Sequence, residues 1–254
     1  ITKYYSNSEI GKFPVRAKPI NIKADIDTKD QFPELREINR DIRRLNLSAY
    51  APLKYILPEK LEEYSKRYDR EVKGGSVFKQ IDREQSLIHL MRVNLLKRME
   101  SSINSFGMTL EKLLNGVRLF LAKLEDHESR ELEEMSIEDI DIESEELDPF
   151  LLGTKIKVLI QDVDRIRWKQ ELKEDEELLV AMLREARQID VSRDAKLLEL
   201  KKLIESKVNN PINPGNRKII LLTAFADTAE YLYANVAEWA RTKLGVHAAI
   251  VTGR

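Results

Sequence analysis

Apolar residues recur every three or four positions between residues 91 and 124, the spacing that keeps one face of an α-helix apolar. That stripe consists of Met91, Leu95, Met99, Ile103, Phe106, Leu110, Leu113, Val117, Phe120 and Leu124. A second pattern of the same kind consists of Leu152, Ile156, Leu159, Val163, Ile166, Leu179, Met182, Ala186 and Ile189. Two long helices with facing stripes should pack antiparallel, as a coiled-coil-like hairpin or as part of a bundle. We expect Gly107 to mark a kink or join in the first helix.

Shorter patterns flank these two segments. Apolar and polar residues alternate over residues 20–26, which predicts a half-buried strand. Pro33 opens a short helix, because its missing N–H costs nothing in the first turn. A further helix is predicted over residues 195–208.

The last forty residues combine both periodicities. Residues 219–222 and 246–251 are apolar, strand-forming runs, and the segment between them has helical spacing. Asp227 or Thr228 is placed to cap this helix, and Gly245 stands where a helix terminator belongs. The sequence therefore predicts a mostly α fold with a small α/β part: the long antiparallel helical hairpin or bundle, plus an incomplete parallel β-α-β unit.

Composition restricts the classes of protein to consider. The chain has 43 basic and 44 acidic residues, and its net charge of -1 gives no overall preference for polyanions. Thirteen of the acids fall within residues 125–148, which predicts a solvated connector. There is no cysteine, signal peptide or membrane-spanning run, so we expect a soluble, cytoplasmic protein that does not enter a membrane.

Most catalytic motifs are absent. No stretch matches a phosphate-binding loop, and no glycine-rich turn follows residues 219–223, where a dinucleotide or methyl-donor site would need one. His89, His127 and His247 lack partners at metal-ligand spacing on their own segments. We expect these 254 residues alone to catalyse nothing and to bind no metal or cofactor.

Three stretches resemble bacterial Swi/Snf-like translocases of helicase superfamily 2. The run NRKIILLTAFADTAEYLYANV is similar to the motif IV strand and helix of the second RecA-like lobe, preceded by a helix beginning near Lys196. GVHAAIVTG is similar to the next strand and its turn. SLIHLMRVNLLKRMESSINSFGMTLEKLL resembles a helical segment that these enzymes carry between their lobes, and Phe13-Pro14 resembles the exit from the first lobe.

This resemblance implies a domain organisation. Residues 1–80 would be an inter-lobe linker region with one strand and short helices, 81–124 a long helix, and 125–148 the acidic connector. Residues 149–210 would contain a long helix and the helix leading into lobe two. Residues 211–254 would begin the second RecA-like lobe, so the chain would be a fragment of a larger enzyme.

The resemblance also implies a function. The parent enzyme would hydrolyse ATP with Mg²⁺ and move along double-stranded DNA, whereas this fragment would lack the ATP-binding motifs. The implied nucleic-acid-binding residues are Thr223, Phe225, Asp227, Thr228, Thr252, Gly253, Lys97 and Arg98. For Asp227 and Thr228 the simpler interpretation is a helix cap, for Phe225 a core residue, and for Lys97 and Arg98 a solvated face.

Two other interpretations stay open. The long helices could form an interaction module that binds a partner protein, or pair with a second copy, without any nucleotide chemistry. The terminal β-α-β pattern argues against an autonomous helical module. The third interpretation, an unrelated α/β transferase, is weakened by the missing glycine-rich turns.

Overall fold

A computed structural model describes residues 15–72, 76–125, 131–133 and 156–253. Within these ranges the α-helices are α1 Leu35–Arg44, α2 Leu61–Tyr68, α3 Gln80–Ser101, α4 Ile103–Glu125, α5 Arg165–Arg187, α6 Ala195–Asn209 and α7 Ala226–Leu244. Two antiparallel strand pairs are formed, β1 Arg70–Val72 with β2 Ser76–Phe78 and β3 Glu131–Glu133 with β4 Lys157–Leu159. Short 3₁₀ turns cover Ser48–Tyr50, Pro52–Tyr55, Pro58–Lys60 and Ile160–Asp162. The mostly helical class is confirmed.

Helices α4 and α5 form the predicted antiparallel hairpin. Two ion pairs show the antiparallel orientation: Arg187 bonds Glu111 at 2.5 Å, and Arg118 bonds Glu176 at 2.7 Å. Residues later in α4 thus pair with residues earlier in α5. All ten residues of the first predicted stripe are buried. Three of them lie on α3 and the other seven on α4, so both helices bury the stripe within the chain.

Trp168 of α5 lies at the centre of the main core. Its ring stacks on Tyr55 with centroids 4.8 Å apart and contacts Phe120 at 5.0 Å. The indole Nε1 donates to the carbonyl oxygen of Ser48 at 3.0 Å, which satisfies the buried polar atom. The turns between α1 and α2 are thus held against the hairpin.

A second, smaller core joins α6 and α7. It contains Leu197, Ile204, Val208, Val236 and Ala240. Asp194 caps α6 by accepting from the Leu197 amide at 2.9 Å, and Tyr231 of α7 donates to the same carboxylate at 2.9 Å. Gly245 ends α7 with φ 63°, the left-handed conformation that glycine adopts without a Cβ clash.

The boundaries of the long helices differ from the prediction. The first long helix breaks at Ser102, which is extended (φ -158°, ψ 134°), and not at Gly107. Gly107 lies within α4, where an added Cβ would meet that of Ala186 at 3.8 Å, an ordinary van der Waals distance. Ser102 can end one helix and start the next because its hydroxyl and carbonyl accept bonds from the following turn.

The second long helix begins at Arg165 and not near Phe150. Residues 157–162 form β4 and a 3₁₀ turn. Ile166 is 84% exposed, because Trp168 and Leu172 occupy the buried face of α5. Leu152 and almost all of the acidic connector 125–148 lie outside the described residues.

The predicted strands at residues 20–26, 219–222 and 246–251 are not formed. Residues 20–26 contain no ladder, and Ile20 is 81% exposed; the neighbouring Asp27 makes one isolated bridge, to Asp194. Residues 219–222 and 246–251 flank α7 as expected, but neither run pairs with another described segment, and Leu222 is 93% exposed. Strand propensity produces a strand only where a neighbour accepts and donates the ladder bonds.

None of the helices in the described ranges is long and apolar enough to cross a membrane.

Candidate nucleic-acid interface

Arg98 is a buried cation at the contact between α3 and the start of α7. Its side chain is 2% exposed, and Nη1 forms an ion pair with Asp227 Oδ2. Nε donates to Asn94 Oδ1 at 3.1 Å. The guanidinium carbon lies 4.6 Å from the ring centroid of Phe225, a cation–π contact. Arg98 therefore binds α7 through both its charge and its planar face.

Hydroxyl groups surround this ion pair. Ser105 donates to Asp227 Oδ1, and Thr228 Oγ1 donates to Ser105 Oγ at 3.2 Å. Ser101 Oγ lies 3.1 Å from Thr228 Oγ1 and 3.3 Å from Thr223 Oγ1. Each hydroxyl can both donate and accept, so the chain of bonds extends from the buried carboxylate to the surface at Thr223.

The break at Ser102 explains why these groups meet. It ends α3 and starts α4 next to the first turn of α7, so Arg98, Ser101 and Ser105 all point at that turn. The predicted cap at Asp227 or Thr228 is wrong. Phe225 is the N-cap residue and makes no side-chain cap bond, while both predicted side chains bind α3 and α4 instead. A buried guanidinium offers a carboxylate a stronger partner than a backbone N–H.

Lys196 makes a further contact between the two cores. Its ammonium donates to the backbone carbonyl of Glu100, near the end of α3. Burial lowers the pKa of Lys196 because it disfavours the charged ammonium. The lysine therefore fixes the start of α6 against the helix that carries Arg98.

The eight predicted site residues fall into two groups. Phe225, Thr228 and Arg98 are buried, and the Asp227 side chain is only 15% exposed. These four lie at the contact between the end of α3 and the start of α7, which we call the junction. Thr223, Lys97 and Gly253 are exposed, and Thr252 is half-buried. No hydrogen bond among the described residues joins Thr252 or Gly253 to the Arg98 cluster.

Sequence reasoning missed two partners, Asn94 and Ser105. A pattern could have revealed them: polar residues at 94, 98, 102, 105 and 109 follow helical spacing, and every one of them is buried. A polar stripe beside an apolar one on the same helix indicates a second, polar contact surface.

A buried carboxylate elsewhere has a structural explanation. Asp175 of α5 is fully buried, and burial raises its pKa. It accepts from the backbone amides of Asn46 at 2.5 Å and Ser48 at 3.0 Å, and from the Ser48 hydroxyl at 2.7 Å. It therefore holds the turn around Leu47, which has φ 51°. Among the residues that the structure describes, no group of three or more potential ligands could hold a metal ion.

Comparison of the chain with protein-family models, with curated proteins and with solved structures finds no match. The similarity to Swi/Snf-like translocases stays a prediction from the sequence.

Proposed function

We propose that the chain is part of an ATP-dependent, Swi/Snf-like DNA translocase of helicase superfamily 2, and that it supplies the inter-lobe linker, the helical insertion and the start of the second lobe. One observation carries the proposal. The insertion-like stretch and the motif IV-like stretch meet, since Arg98 contacts Asp227 across 129 positions of sequence and Ser101 contacts Thr228 across 127.

Two stretches that resembled a translocase only by chance would have no reason to contact each other. If each stretch were similar to a translocase only in composition, its matching residues could lie anywhere on the surface. Instead Arg98 and Ser101, from one stretch, bond to Asp227 and Thr228, from the other. That juxtaposition favours a common origin for the two similarities.

The geometry suggests separate roles for the two groups of site residues. In our proposal Arg98, Asp227, Thr228 and Phe225 are positioning residues that fix the loop before α7. Thr223 and the exposed Lys97 would then face the sugar-phosphate backbone, together with Thr252 and Gly253. Such contacts place a protein on DNA without selecting a base sequence.

ATP and Mg²⁺ belong to the complete enzyme in this proposal. The sequence has no phosphate-binding loop, so a longer polypeptide would supply the residues that hold the nucleotide. This segment would transmit the state of the first lobe to the second through the contact of Arg98 with Asp227.

The alternative, a helical module that binds a partner through its apolar stripes, has less support. It needs a stripe that is available to another chain. Leu113, Phe120, Leu172 and Leu179 are all buried between α4, α5 and the turns that cover them. A partner or second copy would have to use another surface.

The test measures the ATPase activity of a longer polypeptide, encoded by this segment together with its neighbouring coding sequence. The rate is measured with and without double-stranded DNA. We expect hydrolysis that rises with DNA, and none from the 254 residues alone. Asp227→Asn in the longer polypeptide should reduce the DNA-stimulated rate, whereas Glu238→Gln, on the exposed side of α7, should not. A longer polypeptide without ATPase activity, or one whose activity ignores DNA, would refute the proposal.

A further inference from the structure

Helix α1 carries four arginines and only two acids in ten residues. Arg36, Arg40, Arg43 and Arg44 are all exposed. At 3.6 residues per turn they occupy an arc of about 100°, opposite the buried Ile38 and Ile42. The helix therefore presents one continuous guanidinium face to solvent.

This face keeps most of its charge. Asp41 lies 3.6 Å from Arg40 and 3.8 Å from Arg44, whereas Arg36 and Arg43 form no ion pair in the described part of the chain. Asp25, Asp30 and Glu34 line the cleft beside Arg36 without forming an ion pair with it, and Asp27, the fourth carboxylate there, is paired with Arg193. Elsewhere the exposed arginines of the α4–α5 hairpin are paired, namely Arg118 with Glu176, Arg167 with Glu171, Arg184 with Glu185 and Arg187 with Glu111.

Helix stability does not explain the whole row. Cations in the last turn, such as Arg43 and Arg44, stabilise a helix through its macrodipole. Arg36 lies in the first turn, where the dipole disfavours a cation, and Arg40 lies in the middle. Two of the four arginines therefore stand where the macrodipole of α1 does not favour a cation.

We infer that the Arg36–Arg40–Arg43–Arg44 face of α1 binds the phosphate backbone of a nucleic acid. A guanidinium matches a phosphate group with two parallel N–H donors, which an ammonium cannot do. The row extends about 12 Å along the helix axis, or three to four nucleotide steps at about 3.4 Å per step of one strand.

An anionic membrane fits this face less well. A helix that lies on lipid inserts an apolar face, but Ile38 and Ile42 of α1 are already in the protein core. Only Leu35 adds an exposed apolar side chain to the helix. Binding to phosphates also requires no ATP, so the inference does not rest on the translocase proposal.

The experiment measures affinity for a short fluorescent DNA duplex of mixed sequence by anisotropy, at several salt concentrations. The test variant is Arg36→Gln/Arg40→Gln/Arg43→Gln, because glutamine keeps helix propensity. The control is Arg118→Gln/Arg184→Gln/Arg187→Gln, which removes the same charge from the paired arginines of the hairpin. Helix content by circular dichroism should match the wild type in both.

We expect the slope of log affinity against log salt to fall by about 2.7 in the test variant, at about 0.9 for each lost phosphate contact, and to stay nearly unchanged in the control. Arg36→Gln/Arg43→Gln, which leaves both pairs of Asp41 intact, should lower it by about 1.8. Three results would overturn the inference: no duplex binding by the wild type, equal losses in test and control variants, or binding to phosphatidylserine vesicles in place of the duplex.

Discussion

Substitution of Asp227 in its ion pair with Arg98 should lower the free energy of unfolding. Asp227→Asn removes the carboxylate charge and keeps the shape of the side chain. Arg98, at 2% exposure, would then stay buried without the carboxylate that balances its charge. Removing one member of a buried ion pair costs about 3–5 kcal/mol. Because the Asp227 side chain is 15% exposed, we expect about 3 kcal/mol.

The reverse change should cost less. Arg98→Met keeps the stem of the side chain but removes the guanidinium and its contact with the Phe225 ring. Asp227 would keep its bond from Ser105 and its partial contact with water, so we expect about 2 kcal/mol. The double variant contains neither buried charge, and its loss should fall short of the sum by about 2 kcal/mol.

The free energy of unfolding of the wild type, both single variants and the double variant is measured by urea titration. Arg241 and Glu238 provide a matched pair on the same helix: they lie 2.8 Å apart, with side chains 57% and 67% exposed. An exposed pair of this kind should couple by less than about 0.5 kcal/mol. Coupling at Arg98–Asp227 no larger than that would refute our account of the junction.

Hydrogen exchange shows which helices lose protection when the ion pair is removed. Asp227→Asn should speed exchange in α6 and α7, whose own core is small, and leave the α4–α5 hairpin protected. Uniform loss of protection across both cores would mean that the junction does not separate them.

Four further variants test other parts of the fold. Trp168→Ala should lower the free energy of unfolding by about 3–5 kcal/mol, measured in urea, because the ring is fully buried in the main core. Gly245→Ala should cost about 1–2 kcal/mol through its positive φ, whereas Gly253→Ala, which has open space and no positive φ, should cost nothing measurable in the same titration. The pair of bonds from Arg193, at 3.0 and 2.5 Å, lowers the pKa of Asp27 well below its usual range. A lowered pKa stabilises the fold above the unfolded value of about 3.9, so the stability difference between wild type and Asp27→Asn should be full at pH 6 and shrink as the pH falls below about 4. A difference that does not change between pH 6 and pH 3 would contradict that assignment.

Periodicity predicted the hairpin well because one interaction dominates there. Ten apolar positions at helical spacing can only be buried together, and all ten are. The same reasoning failed at Ile166, since spacing alone could not show that α5 begins at Arg165 and that Trp168 takes the buried face. It also favoured Gly107 over Ser102 for the helix break, because intrinsic helix propensity counts against glycine, whereas the observed break is at Ser102.

The candidate site was harder to predict from sequence. Capping preferences read from neighbouring residues favour Asp227 and Thr228 as helix caps. They take no account of the Arg98 guanidinium, which is 129 residues away in sequence and bonds to Asp227. The resemblance to a family placed Arg98 and Asp227 among the site residues without stating that they touch. Their bond depends on where α3 ends, and spacing alone did not predict that end at Ser102.

The character of the junction has a mechanical consequence. The main core and the α6–α7 core are each apolar, but among the described residues their contact includes the Arg98–Asp227 pair, a chain of hydroxyls, Lys196 and the Asp27–Arg193 pair. An apolar contact loses strength in proportion to the area exposed, whereas a polar one depends on a few directional bonds. Substitutions at those bonds should separate the two bodies without damaging either core.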